Sequence, residues 1–303
     1  MLKGNVRGTM VKHAYLILCH TDFSLLCTLI HLLDDARNDI YVHIDQKATF
    51  LGCGLKVKNA GLHILEQRID VRWGDYSMVQ AELSLFEAAH NTATYEYYHL
   101  LSGTDLPLKS QDYIHEICGR HSSTEYIGFS GTDTDKEATW RAEHYFLFSG
   151  LFRSKNILIR LIRRLVLALQ DMFLLKRHIG RTMKKGPQWC SVTHEFVTFL
   201  LQNKDWIERT FSHTYCPDEL FIQTICWNSC FRDRVYDIND EFRGCMRYIK
   251  WTNGSLQDMT PATTNEALLS DRWFARKFSS ADSVSVEHVL SSLNLLFRIR
   301  SLA

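Results

Sequence analysis

Short apolar runs that alternate with segments of helical period restrict this chain to a small set of folds. HAYLILCH (13–20), DIYVHID (39–45), LHILEQ (62–67) and YEYYHLLSG (95–103) read as strands. SLLCTLIHLLDD (24–35) and MVQAELSLFEAAHNT (78–92) read as helices. Strands alternating with helices imply an α/β fold built on a mainly parallel sheet. Ligands of such sheets bind beyond the carboxyl ends of the strands, which singles out His20, Asp45 and Asp105. Neither GxGxxG nor GxxxxGK[ST] occurs, so dinucleotide and P-loop readings lose support. The second half is less regular. EYIGF (125–129), QWCSVT (188–193) and RYIKW (247–251) read as strands, and HEFVTFLLQN (194–203) and residues 218–226 as helices. No repeat and no clean boundary is visible, so one domain over 1–303 is expected.

The formal charge of +1 provides no field that would recruit nucleic acid. Nine cysteines, an odd number without a CxxC, read as free thiols of a reducing compartment. No apolar run approaches the ~18 to 20 residues of a membrane span. The first apolar run lacks a small-residue cleavage site, so a start near Met1 or Met10 and a cytoplasmic location are expected. One segment differs from the rest: residues 151–185 carry ten Lys/Arg against a single acid, Asp171. Arg160, Arg163 and Arg164 fall between Ile and Leu residues, the pattern of a basic amphipathic helix at an anionic membrane surface. A surface helix packed on the domain with solvated arginines is the other reading.

TYCPDELFIQTI (214–225) places two adjacent carboxylates behind a proline at the start of a helical pattern. Acids in a first turn are favoured by the helix dipole, and proline suits helix entry. A carboxylate there can equally serve as a general base.

Five segments in order resemble the core-2/I-branching β-1,6-N-acetylglucosaminyltransferases and peptide O-xylosyltransferases of glycosyltransferase family 14. They are ILCHTDF with YVHIDQK, RWGDYSMVQAEL with YYHLLSGTDLPLKS, GPQWCSVTHEFVTFLL, CPDELFIQTI, and RYIKW with FARKF (274–278). SGTDLPLK and PDE are the most specific, and the resemblance covers about residues 13–278. It implies a GT-A-type fold, a Rossmann-like sheet flanked by helices that binds a nucleotide sugar. It also implies inverting transfer with no metal ion and no cofactor, from a UDP-sugar to a glycan, and the basic segment 151–185 suggests that this glycan is lipid-linked.

Carried over residue by residue, the resemblance makes Glu219 the catalytic base and Asp218 its helix-capping neighbour. Leu18 and His20 flank the uridine and Asp45 hydrogen-bonds it. Trp73 and Ser77 belong to the loop that approaches the nucleotide. Lys277 matches a diphosphate-binding lysine. The branching enzymes add an upstream arginine that TPATTNEALLSD (260–271) lacks, leaving Arg276 or Arg272 as substitutes. Asp105 either orients the sugar or caps its turn. Lys136, Trp140 and Arg141 are expected near the acceptor, and Trp189 stacks on a sugar ring or belongs to the core.

Two other readings stay open. Asp133 and Asp135 form a literal DxD, which would suit a metal-dependent transferase. The missing arginine would suit a nonenzymatic peripheral membrane protein that retains the fold. The leading expectation is a bacterial-type enzyme of cell-surface polysaccharide assembly, peripheral at the inner membrane face. The donor, N-acetylglucosamine or xylose, and the oligomeric state are not encoded in any motif.

Overall fold

The computed structural model describes residues 11–49, 54–252 and 254–300, and for 294–300 the backbone alone. The expected start at Met1 or Met10 and Cys53 lie outside the described residues.

A five-stranded sheet forms the centre. Its strands are β1 (His13–Cys19), β2 (Asn38–Ile44), β3 (Gly61–Ile64), β4 (Tyr97–Ser102) and, after the two-residue β5 (Leu106–Pro107), β6 (Ser191–Thr193). The order is β3-β2-β1-β4-β6; the first four are parallel and β6 runs antiparallel to β4. In register, Leu18 of β1 faces His43 of β2 and Ser102 of β4, so the carboxyl ends of three strands finish at one edge.

The strands are apolar on both faces because helices cover both. Ala14 and Leu16 of β1 face a core made with α2 (Ser77–Thr92), α6 (His194–Gln202) and α8 (Phe221–Trp227). Tyr15 and Ile17 face a second core, made with α1 (Phe23–Leu32), α3 (Gln111–Arg120), α10 (Pro261–Leu269) and α11 (Ser283–Arg300). The expected mainly parallel sheet flanked by helices is therefore the observed one. The remaining helices are α4 (Asp135–Glu143), α5 (Ile157–Met172), α7 (Lys204–Phe211) and α9 (Glu241–Gly244).

The second half departs from expectation. EYIGF forms no strand; Glu125 and Tyr126 make isolated bridges to Val235 and Ser191. RYIKW divides between β7 (Arg247–Ile249) and β8 (Trp251–Thr252). The latter pairs in a hairpin with β9 (Ser255–Leu256). β7 joins a small sheet with β10 (Phe274–Arg276) and β5. The described cysteines are all free.

Arg247, 1% exposed, joins the small sheet to the large one. Its guanidinium donates to Cys245 O (2.7 Å), Cys190 O (2.7 Å) and Ser191 Oγ (3.2 Å), and it lies 4.6 Å over the Phe274 ring. Ser191 continues into a buried ladder, with His99 Nδ1 at 2.8 Å and His99 Nε2 at 3.0 Å from His13 Nδ1. Cys118 completes a buried group with His13 and His99, but these ring nitrogens are already engaged and the ladder reads as core.

Arg247→Met keeps the aliphatic stem and removes the donors to Cys245 O, Leu100 O, Cys190 O and Ser191 Oγ, of which Cys190 O keeps Leu100 N and Ser191 Oγ keeps His99. At ~1–3 kcal/mol for each acceptor left unsatisfied, it should destabilise the protein by at least ~1 kcal/mol. Urea denaturation measures this, and a loss below ~1 kcal/mol would show that Arg247 does not join the sheets.

Candidate active site

The carboxyl edge of the sheet opens into a cleft of about 1370 Å³. Leu18 near the end of β1 and His20 after it, Asp45 and Lys47 after β2, and Ser102 at the end of β4 with Thr104 after it form its floor. Trp73 and Arg153 border one end. Trp189, Asp218 and Glu219 form a wall, and Trp251, Arg276 and Lys277 close the remaining side.

Close backbone approach builds the wall. A Cβ on Gly186 would sit 2.1 Å from Gly128 O, and one on Gly128 would sit 2.0 Å from Glu241 O. Only glycine lets these three segments stack. Gly186 N also donates to Glu219 O at 3.0 Å, which brings Lys185 beside the PDE turn.

Pro217–Glu219 forms a single 3-10 turn, followed by α8. Glu219, with a side chain 36% exposed, opens to the cleft; Arg141 Nη1 lies 2.9 Å from its Oε2, and Lys185 Nζ 3.8 Å. Asp218 does not cap the helix as expected. It is buried, its Oδ1 has no hydrogen-bond partner, and neither the turn nor α8 has a side-chain cap. Burial first, and then the charge of Glu219, push its pKa up to about 7. In α2 the fully buried Glu82 is also pushed well above the carboxylate range, by burial and then by Asp218. Gln188 Nε2 donates to Glu82 Oε1 at 2.7 Å, while Oε2 has no partner.

At the other end, His20, Asp45, Lys277 and Arg153 converge. Burial lowers the His20 pKa, Asp45 opposes the shift, and Lys277, Lys47 and Arg153 add to it. Asp45 accepts from Lys47 N at 2.8 Å and lies 3.3 Å from Lys47 Nζ. Lys47 and Arg72 also pair with Asp70. Among the described residues Lys277 forms an ion pair with Asp258 alone, at 4.0 Å. Arg153 lies 4.8 Å over the Trp73 ring and forms no ion pair among the described residues.

Other expected residues are placed differently. Ser77 is buried and does not line the cleft; its Oγ accepts from Arg72 N at 2.9 Å and so braces the Trp73 loop. Asp105 is also buried. Its Oδ2 accepts from Ser102 N (3.0 Å), which is the turn-capping alternative, and its Oδ1 lies 3.5 Å from Arg276 Nε. Trp189 lines the cleft, but Arg276 covers one face of its ring at 4.0 Å. Arg141 pairs with Glu219 and Glu137. Lys136 and Trp140 are exposed and off the cleft wall, with Trp140 against His144. Arg272 pairs with Asp271 and Asp240 and is not part of the wall. Of the DxD pair, Asp133 lines the cleft while Asp135 is held by Lys184.

The cleft residues missed in sequence are Arg153, Lys185, Trp251 and Glu241. Trp251 was hidden by reading the strand through 251. Lys185 and Glu241 depend on the glycine crossing, which has no linear signature.

A buried carboxyl that holds its proton more tightly when folded contributes its full stability below its ordinary value of 4.5. That contribution is lost as pH rises through the folded value. Wild type should therefore lose urea resistance relative to Glu82→Gln as pH rises above about 5, by up to ~1.4 kcal/mol per pH unit. Parallel pH profiles would show that Glu82 is not held protonated.

The family model described as Core-2/I-Branching enzyme matches residues 13–273. No curated protein matches the chain significantly. Among solved structures, the crystal structure of S. aureus TarS 1-349 is similar at 13% identity and a TM-score of 0.35. That match covers 72% of this chain and 56% of the other, so the chain spans a little over half of that structure's length. The family match runs from β1 to the residue before β10 and takes in the sheet edge, the Trp73 loop and the PDE turn. On that extent, the chain belongs to the Core-2/I-branching enzyme family of glycosyltransferases.

Proposed function

We propose that this chain is an inverting, metal-independent glycosyltransferase acting in cell-surface polysaccharide assembly. It moves N-acetylglucosamine, or xylose, from a UDP-sugar to a hydroxyl of a free or lipid-linked glycan at the cytoplasmic face of the membrane. One observation carries this reading: an accessible carboxylate, Glu219, and the cations Arg276, Lys277 and Arg153 line the same cleft at the sheet's carboxyl edge.

Glu219 takes the proton of the acceptor hydroxyl as its oxygen bonds to the anomeric carbon, and the bond to the diphosphate breaks on the opposite side. Arg141 orients this carboxylate from 2.9 Å. Charge developing on the diphosphate meets cations already in place, so little reorganisation accompanies the step. Lys277 and Arg153 are suited to this because neither is committed to a close acid. Arg276 is held between Trp189 and Asp105. The uridine lies between Leu18, His20 and Trp73, with Asp45 accepting from its N–H. Trp251, 50% exposed, offers an apolar ring face to a sugar. Asp135 is held by Lys184, which favours fixed cations over an ion at Asp133 and Asp135.

Glu219→Gln should lower transfer ~10²–10⁴-fold and leave UDP binding by calorimetry unchanged. A fully active Gln variant would remove Glu219 from the base role. Arg153→Met and Lys277→Met should each weaken UDP binding, and normal binding by both variants would place the diphosphate elsewhere. Transfer should persist in excess EDTA; its complete loss there would favour a metal held by Asp133.

A further inference from the structure

Helix α5 is mounted with its apolar side facing outward. Leu158, Leu161, Ile162, Leu165, Leu169 and Met172 share one face by three- and four-residue spacing, and all are exposed, Leu158 at 64%. A globular amphipathic helix normally buries that stripe. Here the side turned to the body carries polar groups. Buried Gln170 accepts from Tyr145 N (2.7 Å) and donates to Tyr145 O (2.9 Å). Arg163 donates to Leu151 O and lies 4.8 Å over Phe152. Beyond the helix, Arg177 donates to Thr210 O, His144 O and Thr214 Oγ1. The helix is thus fixed by its polar back, and the apolar face continues into Phe173 and into Leu174, which is 80% exposed.

Charge selects the occupant. Residues 151–185 hold ten Lys/Arg and one acid. That acid, Asp171, is engaged 2.9 Å from His144 Nε2. Arg160 and Arg164 are exposed, one turn apart along the same side of the helix. A second copy pairing through this face would place like charges against one another. An anionic lipid surface complements both features, taking the leucines into the acyl boundary and the arginines at the headgroups. No helix among the described residues is long and apolar enough to cross a membrane.

We propose that the outward face of α5, together with Phe173 and Leu174, is a docking surface for anionic phospholipid bilayers. The segment leading into it, Gly150 to Arg153, borders the cleft, so docking holds the cleft mouth near the lipid surface. This inference does not depend on the chemistry assigned to Glu219.

Co-sedimentation of the full chain with phosphatidylcholine–phosphatidylglycerol vesicles, beside phosphatidylcholine alone, tests it. Wild type should pellet with the anionic vesicles only. Leu161→Ser combined with Leu165→Ser, and separately Arg160→Glu combined with Arg164→Glu, should each weaken partitioning by at least ~10-fold. Both pairs are exposed, so the melting temperature and the thermal shift with UDP should stay at wild-type values. Equal sedimentation of wild type and both variants, or none by wild type, overturns the proposal. So does a wild-type dimer that the leucine variant converts to monomer, which would assign the face to a second copy. Loss of the UDP shift in wild type would count against the proposed function alone.

Discussion

The cleft depends on a guanidinium that never reaches it. Arg247 sits where the small sheet meets the large one, and every group it donates to is backbone or a buried hydroxyl. Burying a cation is costly unless its donors are used, and Arg247 repays that cost by satisfying acceptors of β6 and the segment just before it. The consequence lies two strands along. β7 carries Arg247, and Arg276 of β10 is paired with Ile249 of β7. Fixing β7 therefore fixes the strand that delivers Arg276 and then Lys277 to the cleft.

The PDE turn gathers three carboxylates with different tasks. Glu82 and Asp218 are buried and each has an oxygen without a partner; burial and then Asp218 raise the pKa of Glu82, while burial and then Glu219 raise that of Asp218. Two like charges in a low-dielectric pocket cannot both ionise without a compensating cation, so protonation is the cheaper solution. Glu219, one residue on, has both solvent and Arg141. The contrast separates the three without reference to any relative: the exposed, cation-paired acid can cycle a proton, and the buried two hold the turn.

Much of the first half was legible in the sequence, because its strands are short apolar runs separated by strong helical periods. His20 and Asp45 follow from strand ends alone. The PDE segment was legible as chemistry but misassigned in detail. Asp218 looked like a cap because capping is a local rule, but the PDE turn packs against α2, whose Glu82 lies 136 residues away in sequence. Arg141 was placed near the acceptor by its neighbours in sequence, and its contact with Glu219 comes from α4, which no linear pattern shows. Ser77 braces the Trp73 loop, a role that belongs to the turn and not to the motif. The wall formed by Gly128 and Gly186 is a contact between distant backbones, and isolated glycines do not announce their partners.

Charge around the cleft explains why Arg153 matters more than its place in a loop suggests. Lys47 and Arg72 are cations of the floor, but Asp45 and Asp70 already neutralise them. Arg276 shares its buried site with Asp105. That leaves Lys277 and Arg153 as the charges least compensated, and both act on His20. A departing diphosphate needs more than one such charge, and the arginine expected upstream of Lys277 is absent from 260–271. In the proposed reading Arg153 supplies that charge from a different direction, out of the segment that leads into α5. The cleft and the outward apolar helix are thereby joined by one short stretch of chain, which under the two proposals faces the nucleotide on one side and the lipid on the other.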